Sequence, residues 1–467
     1  MKWLSFRLVL ALGTLWSAPH VLGADGAQWR AGVSRDDITP KTPLWLAGYG
    51  SRTNSATGTS ISLWLKVLAL EDARGHRAII VTSDLLGIPQ TIYQHTCATL
   101  KEKFGLAPEQ ILLSASHTHC GPVLRGALYD VYPLDDKQIS LIESYSAELE
   151  TKLIATVASA LADLAPVRLA AAQGVTRFAV NRRNNREAGV PKLIEEGALK
   201  GPVDHSVPVL AVYRPNGDLK AILFGYACHN TVMDFYEWSG DYAGWAQRYL
   251  EKDSHHPGVT AMFFMGCGGD QNPLPRRDTD LSMRYGRMLA SAVEEALLSP
   301  PRTLAPELET RMEMVPLKLG AAPTEAELEK AASDKSPVTR RWAARLLAQS
   351  KSGKPFMREY PFPLQAWRFG HEQLLVTLGG EPVVDYALKF KAQFGPQTWV
   401  AGYCNDVMNY IPSLRVLRED MPDSIKPGWG YEGARATIVY GLPAFRWAED
   451  IEDQITLAAE QLVKGFR

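Results

Sequence analysis

The chain has 467 residues, of which 46% are hydrophobic and 22% charged, so it has the composition of a folded globular protein and not of a disordered chain. Fifty Lys and Arg stand against 51 Asp and Glu without blocks of one sign, which excludes the electrostatic surface of a typical nucleic-acid-binding protein. We therefore expect no nucleic-acid partner, and instead a small-molecule or lipid substrate.

The N-terminus has the pattern of a secretory signal peptide. Lys2 and Arg7 precede or flank an apolar stretch at 8–16, and the small residues Gly23 and Ala24 follow it. This pattern predicts a leader over residues 1–24 and a secreted or periplasmic protein of bacterial type. The alternative is a membrane anchor, but the stretch is well short of the ~20 apolar residues that span a bilayer. We expect no membrane span, and at most transient contact with a membrane surface.

Strand-length apolar runs alternate with longer helical patterns along the rest of the chain. The apolar runs lie at 78–82, 111–114, 221–224, 261–265, 373–377 and 398–401. Helical spacing covers 141–164, 280–298 and 325–349, and Thr324 and Glu327 form a capping box before the third helix. This alternation predicts an α/β protein with mixed β-sheets covered by helices. We expect one large domain over 25–467 with a polar helical insertion at about 320–355, and no sequence repeat is visible.

Polar side chains that can bind a metal recur where the apolar runs end. His117 and His119 follow one run, His229 another, the loop at 266–270 a third and Glu381 a fourth. Because ligands gather outside the carboxyl ends of strands in α/β folds, these four segments are expected to meet in one pocket. Two histidines two residues apart face the same side of an extended segment, and imidazole and carboxylate are ligands that zinc accepts.

Each of these residues also has a structural explanation. His229 can be a hydrogen-bonded core histidine, and Glu381 ahead of Pro382 can be an acidic residue at a helix N-terminus. The glycines at 266–269 either expose backbone N–H groups to an oxyanion or form a tight strand-to-helix turn. The sequence lacks the phosphate-binding P-loop pattern and the GxSxG pattern of α/β-hydrolases.

Eight segments in register resemble the catalytic domain of the neutral/alkaline, non-lysosomal ceramidase family. They lie at 31–40, 116–122, 180–182, 226–230, 239–242, 269–270, 380–381 and 431–434, and include Ser-His-Thr-His-Cys-Gly-Pro, Tyr-Ala-Cys-His-Asn and Tyr-Glu-Gly-Ala. The resemblance, which runs from about residue 30 to about 445, implies a single large metallo-hydrolase domain. It implies a zinc amidohydrolase that cleaves the N-acyl bond of a ceramide-like substrate with water activated by Zn²⁺, giving a fatty acid and a sphingoid base.

The resemblance also implies roles for individual residues. The zinc ligands would be His117, His229, Glu381 and Tyr410. The catalytic residues would be His119, Arg182 and Tyr431, which would face the substrate carbonyl and the leaving amine. The substrate-binding loop would be formed by Gly269, Asp270, Gln271 and Asn272.

Three departures from the family pattern concern the substrate and the domain organisation. We expect no C-terminal β-sandwich domain after the catalytic part. A serine near the substrate hydroxyls is replaced, because Gly269-Asp270 continues with Gln271 and Asn272. The stretch between Tyr410 and Tyr431 is longer than expected and contains Pro422, Pro427, Gly428 and Trp429.

Two other functions stay open at this point. One is a metallo-hydrolase of another N-acyl or ester substrate, and the other is a non-catalytic secreted binding protein of the same fold. Four of the five cysteines lie in or beside the proposed active-site loops, where we expect them to be small packing residues with no assigned disulfide: Cys120, Cys228, Cys267 and Cys404. The sequence does not indicate the oligomeric state.

Overall fold

The computed structural model of the chain describes residues 28–252, 256–420 and 430–466. The predicted leader and the residues from Pro422 to Trp429 lie outside these ranges. Within them, no helix is both long enough and apolar enough to cross a membrane.

The largest element is a nine-stranded mixed sheet. Its strands are β1 (Trp29–Asp37), β3 (Trp64–Glu71), β4 (Arg77–Ser83), β5 (Ile111–Ala115), β6 (Ala165–Val175), β8 (Ser206–Tyr213), β9 (Leu219–Tyr226), β11 (Thr260–Met265) and β13 (Arg302–Thr303). The order is β11-β9-β8-β6-β1-β3-β4-β5, with β13 beside β6. Most strands are apolar on both faces, as sheets covered by helices require.

Eleven α-helices accompany the strands in the part of the chain that the structure describes. They are α1 (Gln90–Phe104), α2 (Asp136–Ala162), α3 (Val190–Glu195), α4 (Asp241–Lys252), α5 (Thr279–Leu298), α6 (Glu325–Ala331), α7 (Pro337–Lys351), α8 (Val384–Phe394), α9 (Leu414–Glu419), α10 (Ala436–Val439) and α11 (Ile451–Lys464) within the described ranges. A π-helical turn, Tyr431–Arg435, leads directly into α10. The prediction of an α/β fold with mixed sheets covered by helices is confirmed.

The large sheet consists of two halves with the same topology. In each half three consecutive strands pair antiparallel (β1, β3 and β4; β6, β8 and β9), a helix follows (α1; α4), and a fourth strand joins parallel to the third (β5; β11). A long helix then packs back on the first strands (α2; α5). A Cβ at Gly32 in β1 would lie 1.9 Å from the Ala160 carbonyl of α2, and a Cβ at Gly174 in β6 would lie 2.2 Å from the Ala292 carbonyl of α5. Glycine is therefore required at equivalent helix contacts in both halves.

A second, four-stranded sheet closes the gap between the outer edges of the large one. It contains β14 (Leu308–Lys318), β15 (Glu359–Phe369), β16 (Gln373–Leu378) and β18 (Trp399–Ala401). The residues after β18 bond to both edges, because Gly402 N donates to Met265 O of β11 (2.9 Å) and Asn405 N donates to Leu113 O of β5 (2.7 Å). The carboxyl ends of β5 and β11, which are far apart in the strand order, therefore lie on either side of one segment.

Three two-stranded pairs complete the strands of the described residues. β2 (Gly58–Thr59) pairs with β10 (Glu237–Trp238), and β7 (Ala179–Asn181) with β12 (Gln271–Pro273). β17 (Glu381–Pro382) pairs in parallel with β19 (Tyr410–Ile411).

The region predicted as a polar helical insertion contains α6 and α7. Thr324 and Glu327 form the predicted capping box at the start of α6. Trp342 of α7 is fully buried and donates from Nε1 to Leu442 O (2.8 Å). The two helices thus pack on the segment that follows α10. All five cysteines fall within the described ranges, and each is a buried free thiol.

Candidate metal centre and active site

Two buried imidazole rings, one from each half of the large sheet, form the centre of the site. His117 lies just after β5 and His229 just after β9, with ring centroids 4.9 Å apart. The ligand nitrogens of His117, His119 and His229 lie within 4.8 Å of one another. His117 has a φ of 57°, a backbone conformation that is uncommon outside glycine and that points to a functional constraint.

Backbone carbonyls fix the tautomers of both rings. His117 Nδ1 is 2.7 Å from Leu86 O, and His229 Nδ1 is 2.6 Å from Gly268 O. A carbonyl oxygen only accepts, so each Nδ1 carries the hydrogen and donates it. In the neutral ring each Nε2 then presents a lone pair to the centre of the site. Burial, reinforced by the Arg182 cation, lowers the pKa of His229 to about 4, so this ring is neutral at pH 7.

A carboxylate and a phenol complete this group. The parallel pair β17 and β19 places Glu381 directly opposite Tyr410. Glu381 Oε2 lies 3.1 Å from the Nε2 atoms of both His117 and His229, and Tyr410 Oη lies 2.9 Å from His229 Nε2.

The donor set fits a bound cation. Within the described residues, Glu381 Oε2 is buried without a hydrogen-bond partner, although two ring nitrogens lie 3.1 Å away. In neutral rings these nitrogens hold lone pairs and not hydrogens, so the close approach to the carboxylate oxygen is repulsive unless a cation lies between them. Nitrogen and oxygen donors of this kind suit zinc and related borderline cations, and the four predicted ligands do come together.

His119 lies at the edge of the group. Its Nε2 is 3.2 Å from His117 Nε2, and its ring packs against Tyr49 with centroids 4.7 Å apart. His119 Nδ1 is buried and, among the described residues, has no hydrogen-bond partner. Burial, together with His117 and His229, lowers the pKa of His119 well below its usual value. A Cβ at Gly48 would lie 2.4 Å from the His119 ring, so glycine is required at that turn.

Arg182 places a guanidinium cation beside the Tyr410 hydroxyl. It follows β7, and its backbone N donates to Asp270 O (2.8 Å). Its side chain donates to Tyr410 Oη (3.1 Å), to Glu432 Oε1 (2.8 Å) and to Asn272 Oδ1 (3.3 Å). Burial would lower the pKa of Arg182, but Tyr410 and Glu432 raise it well above its usual value, so the guanidinium stays charged.

Tyr431 is the most exposed of the predicted site residues, with 38% of its surface accessible. Its ring packs edge-on against Tyr410 with centroids 5.2 Å apart, and the Arg182 guanidinium lies 5.9 Å from its centre. Desolvation of its hydroxyl raises the pKa of Tyr431, so at pH 7 it is a neutral phenol that can donate a hydrogen bond. All three residues predicted to be catalytic therefore surround the predicted ligands.

The glycine loop packs closely against the backbone that carries the ligands. A Cβ at Gly269 would lie 2.7 Å from the Glu381 carbonyl oxygen. Asp270 is fully buried and accepts from Val384 N (2.8 Å) and from Asn181 Nδ2 (3.1 Å). Burial raises the pKa of Asp270 to about 6. In this arrangement the loop joins α8 to β7, and a substrate-binding role for these two residues stays a prediction.

Gln271 and Asn272 differ in what they contact. Gln271 is fully buried; it donates to Ala227 O (2.6 Å) and accepts from Asp204 N (3.0 Å). Asn272 instead faces a pocket of about 460 Å³ beside Arg182. A substrate role for both residues stays a prediction, and Asn272 is the one whose side chain lines an open space.

Three further residues at this site carried no role in the sequence analysis. Tyr440 donates from Oη to Glu381 Oε1, and no motif pointed to it. Glu432 lies within the Tyr-Glu-Gly-Ala motif and accepts from Arg182. The two residues are 250 positions apart, so no local sequence pattern indicated that they pair. Arg52 is buried and donates to His119 O (2.6 Å), although nothing around it in the sequence indicates a site.

Part of the chain is similar in sequence to neutral ceramidases. The family described as neutral/alkaline non-lysosomal ceramidase, N-terminal, has a sequence model that matches residues 29–273. Neutral ceramidase of Pseudomonas aeruginosa is 27% identical over 259 residues, which are 54% of this chain and 38% of that protein. Neutral ceramidase B of Dictyostelium discoideum is 25% identical over 281 residues, 56% of this chain and 38% of that protein. The matched region thus spans well under half the length of these relatives.

The fold similarity extends further along the chain than the sequence similarity. A crystal structure of neutral ceramidase from Pseudomonas aeruginosa superposes with a TM-score of 0.66 at 21% sequence identity, covering 94% of this chain and 75% of that one. A structure described as ceramidase complexed with C2 gives a TM-score of 0.65 at 20% identity, with 93% and 76% covered. The shared architecture therefore includes the second sheet, beyond the part that the family model matches.

Proposed function

Because the chain belongs to the neutral/alkaline non-lysosomal ceramidase family, we propose that it is a zinc-dependent amidohydrolase that cleaves the N-acyl amide bond of a ceramide-like substrate. The products would be a fatty acid and a sphingoid base. One observation carries this proposal: the lone pairs of His117 and His229 and the carboxylate of Glu381 converge beside the Arg182 cation. The relatives' name, neutral ceramidase, supports the same reaction.

The chain's own residues can supply the remaining chemistry. A zinc ion held by His117, His229, Glu381 and Tyr410 would polarise an amide carbonyl and lower the pKa of a water molecule to near neutrality. The amide oxygen gains negative charge during hydrolysis. Donation from preorganised groups to that oxygen stabilises the transition state, typically by a factor of about 10²–10³ for one donor.

Arg182 and Tyr431 are the donors that face this charge. The Arg182 guanidinium is already held by Glu432 and Tyr410, so it needs little reorganisation as the oxygen becomes negative. The Tyr431 hydroxyl is a neutral donor on the accessible side of the site. The lowered pKa of His119 leaves its ring neutral, and its Nδ1 has no hydrogen-bond partner among the described residues, so the ring would take a proton from the attacking water and pass it to the leaving nitrogen.

A specific observation favours a second candidate, hydrolysis of another N-acyl or ester substrate by the same centre. The pocket beside Arg182 and Asn272 is polar, with Arg183, Arg186 and Arg276 among its lining residues. An amine half with charged or hydrogen-bonding groups would fit such walls better than an aliphatic one. The proposed centre would be unchanged, and only the leaving group, an amine from an N-acyl substrate or an alcohol from an ester, would differ from a sphingoid base.

We also propose that the protein is exported and acts in the periplasm or outside the cell. This rests on the leader pattern of Lys2, Arg7 and the apolar stretch at 8–16. A lipid substrate would be reached by transient contact of the folded domain with a membrane surface.

One experiment tests the reaction and separates the candidates. Purified protein is loaded with zinc, its metal content is measured, and hydrolysis is followed by mass spectrometry of released fatty acid. The substrates are a short-chain and a long-chain ceramide, an N-acyl amino acid of matched chain length, and a fatty acyl ester. Cleavage of the ceramides supports the first proposal, and cleavage of only the other substrates supports the second. Stoichiometric zinc without turnover of any substrate would leave the binding-protein alternative.

A further inference from the structure

The two oxygens of the Glu381 carboxylate have different surroundings. Oε2 faces the imidazoles of His117 and His229 at 3.1 Å. Oε1 accepts a hydrogen bond from the Tyr440 hydroxyl. Glu381 is only 2% exposed, so solvent does not compete for either oxygen. Among the described residues, the Tyr440 phenol therefore holds the carboxylate in this orientation.

The orientation of the Glu381 carboxylate would decide whether one or both of its oxygens bind a metal ion. That number in turn affects how many coordination positions remain for water or substrate. A carboxylate with two free oxygens can bind a cation through both, whereas one oxygen engaged by a strong donor leaves the other to bind alone. With three further donors from His117, His229 and Tyr410, single-oxygen binding keeps the coordination number low. A catalytic zinc site depends on such an open position for water or substrate.

The same short segment also fixes the cation on the other side of the site. Glu432, in the π-helical turn at Tyr431–Arg435, accepts from Arg182 Nε (2.8 Å) and from Arg183 Nη1 (2.6 Å). Tyr440 follows α10, directly after this turn. The segment 430–440 thus contacts both the proposed oxyanion donor and the proposed carboxylate ligand.

We propose that Tyr440 is a positioning residue that holds Glu381 to single-oxygen metal ligation. The inference rests on the metal centre of the proposed function, and it is independent of which substrate is cleaved. Groups next to a metal ligand typically change metal affinity by about 10–100-fold when they are removed. Tyr440 does not bind the metal itself in this proposal, because its hydroxyl is directed at Oε1.

The test uses the Tyr440→Phe variant of the whole chain, loaded with Co²⁺ in place of zinc. We expect the visible absorption of bound Co²⁺ to weaken as the coordination number rises with two-oxygen binding. We also expect zinc affinity, measured by chelator competition, to fall by about 10-fold or more. With a substrate that the protein cleaves, kcat should fall while KM changes little.

Tyr145→Phe is the matched control. Tyr145 of α2 is a buried tyrosine whose hydroxyl donates to Ile38 O (2.6 Å), so the variant loses a comparable hydrogen bond that none of the proposed site residues makes. It should keep the parent Co²⁺ spectrum and zinc affinity. A Tyr440→Phe protein with the parent spectrum and affinity would overturn the proposal.

A double-mutant cycle keeps the test decisive if Tyr440→Phe also lowers stability. In a Glu381→Gln background the hydroxyl has no carboxylate to orient, so Tyr440→Phe should have no further effect on Co²⁺ affinity. An equal loss in both backgrounds would show that Tyr440 acts elsewhere and would overturn the inference. If the parent binds metal but cleaves no substrate, the proposed function fails while these metal readouts still test Tyr440.

Discussion

The two halves of the large sheet share one topology but contribute to the metal centre in opposite ways. In the first half the imidazole of His117 follows the outer strand β5, and its Nδ1 donates to Leu86 O, which follows the neighbouring strand β4. In the second half the imidazole of His229 follows the inner strand β9, and its Nδ1 donates to Gly268 O, which follows the outer strand β11. Each half thus supplies one imidazole ring and one backbone carbonyl. In the first half the ring follows the outer strand and the carbonyl the inner one, and in the second half the order is reversed.

The arginines reveal a second difference between the halves. The loop between β1 and β3 carries Arg52, whose guanidinium donates to the carbonyls of Ala47, His119 and Phe235. The loop between β6 and β8 carries Arg182, whose guanidinium reaches the Tyr410 hydroxyl inside the site. Equivalent positions in the topology therefore hold one arginine that connects loops and one that faces the chemistry. Similar topology does not imply a similar role.

The largest effect is expected from removing either ring. His117→Ala and His229→Ala should each lose bound zinc and lower kcat by about 10³-fold or more, because both Nε2 atoms face the same point. Zinc content by elemental analysis and kcat on the cleaved substrate measure this. If either variant retained full activity, the shared centre between the halves would be wrong.

Replacing the two arginines tests whether their roles differ. Arg182→Lys removes the planar donor that reaches Tyr410 and Glu432, so kcat should fall by about 10²-fold while the melting temperature changes little. Arg52→Lys loses hydrogen bonds to carbonyls, so it should cost about 2–3 kcal/mol of unfolding free energy and affect kcat less. Denaturant titration and steady-state kinetics give both quantities. Similar kinetic losses in the two variants would contradict the comparison.

Small substitutions next to the carbonyls test whether tautomer control matters in both halves. A Cβ at Gly268 would lie 3.0 Å from Cys228 N, and a Cβ at Gly87, next to Leu86, would lie 2.5 Å from the Val407 side chain. Gly268→Ala and Gly87→Ala should each weaken zinc affinity by about 10-fold, since the displaced carbonyl no longer orients its ring.

A glycine with open space around it serves as the control for these substitutions. A Cβ at Gly189 would meet nothing within 4 Å, and its φ is negative, so Gly189→Ala should keep the parent zinc affinity. Chelator competition on all three variants measures the difference. An unchanged affinity in Gly268→Ala would mean that the second half does not depend on its carbonyl.

The smallest effect concerns the segment that joins the edges of the two halves. Asp406 is buried there and accepts from Tyr360 Oη (2.7 Å) and Gln90 Nε2 (3.3 Å), and burial raises its pKa to about 7. The folded state therefore binds this proton more tightly than the unfolded chain does. The stabilisation is complete below about pH 4 and is lost as the pH rises through about 7.

Asp406→Asn should remove this pH dependence. Between pH 5 and pH 8 the parent should lose about 2–3 kcal/mol of unfolding free energy relative to the variant. Urea titrations at both pH values measure the difference, and the parent serves as its own reference for the other titrating groups. Parallel stability curves for parent and variant would contradict the prediction.

Local chemistry made much of the fold and the site predictable. Buried strand-length runs and helical spacing indicated the α/β class, and Thr324 with Glu327 fixed the start of α6. Residue type alone marked His117, His229 and Glu381 as ligand candidates, because few other side chains bind zinc. The resemblance to a family added Tyr410, Arg182 and Tyr431, whose types are too common to stand out by themselves. The roles of those residues remain predictions, although their positions agree with them.

Tertiary structure alone decided which groups meet, because those contacts join segments far apart in the chain. The sequence showed no repeat, yet the two halves of the sheet have the same topology, since backbone pairing tolerates different side chains. The contact between Tyr440 and Glu381 spans 59 residues and that between Arg182 and Glu432 spans 250, and no local pattern encodes either. The sequence by itself determined the chemical types available to the site. The packing of the segment after β18 between β5 and β11 decided that they face one another.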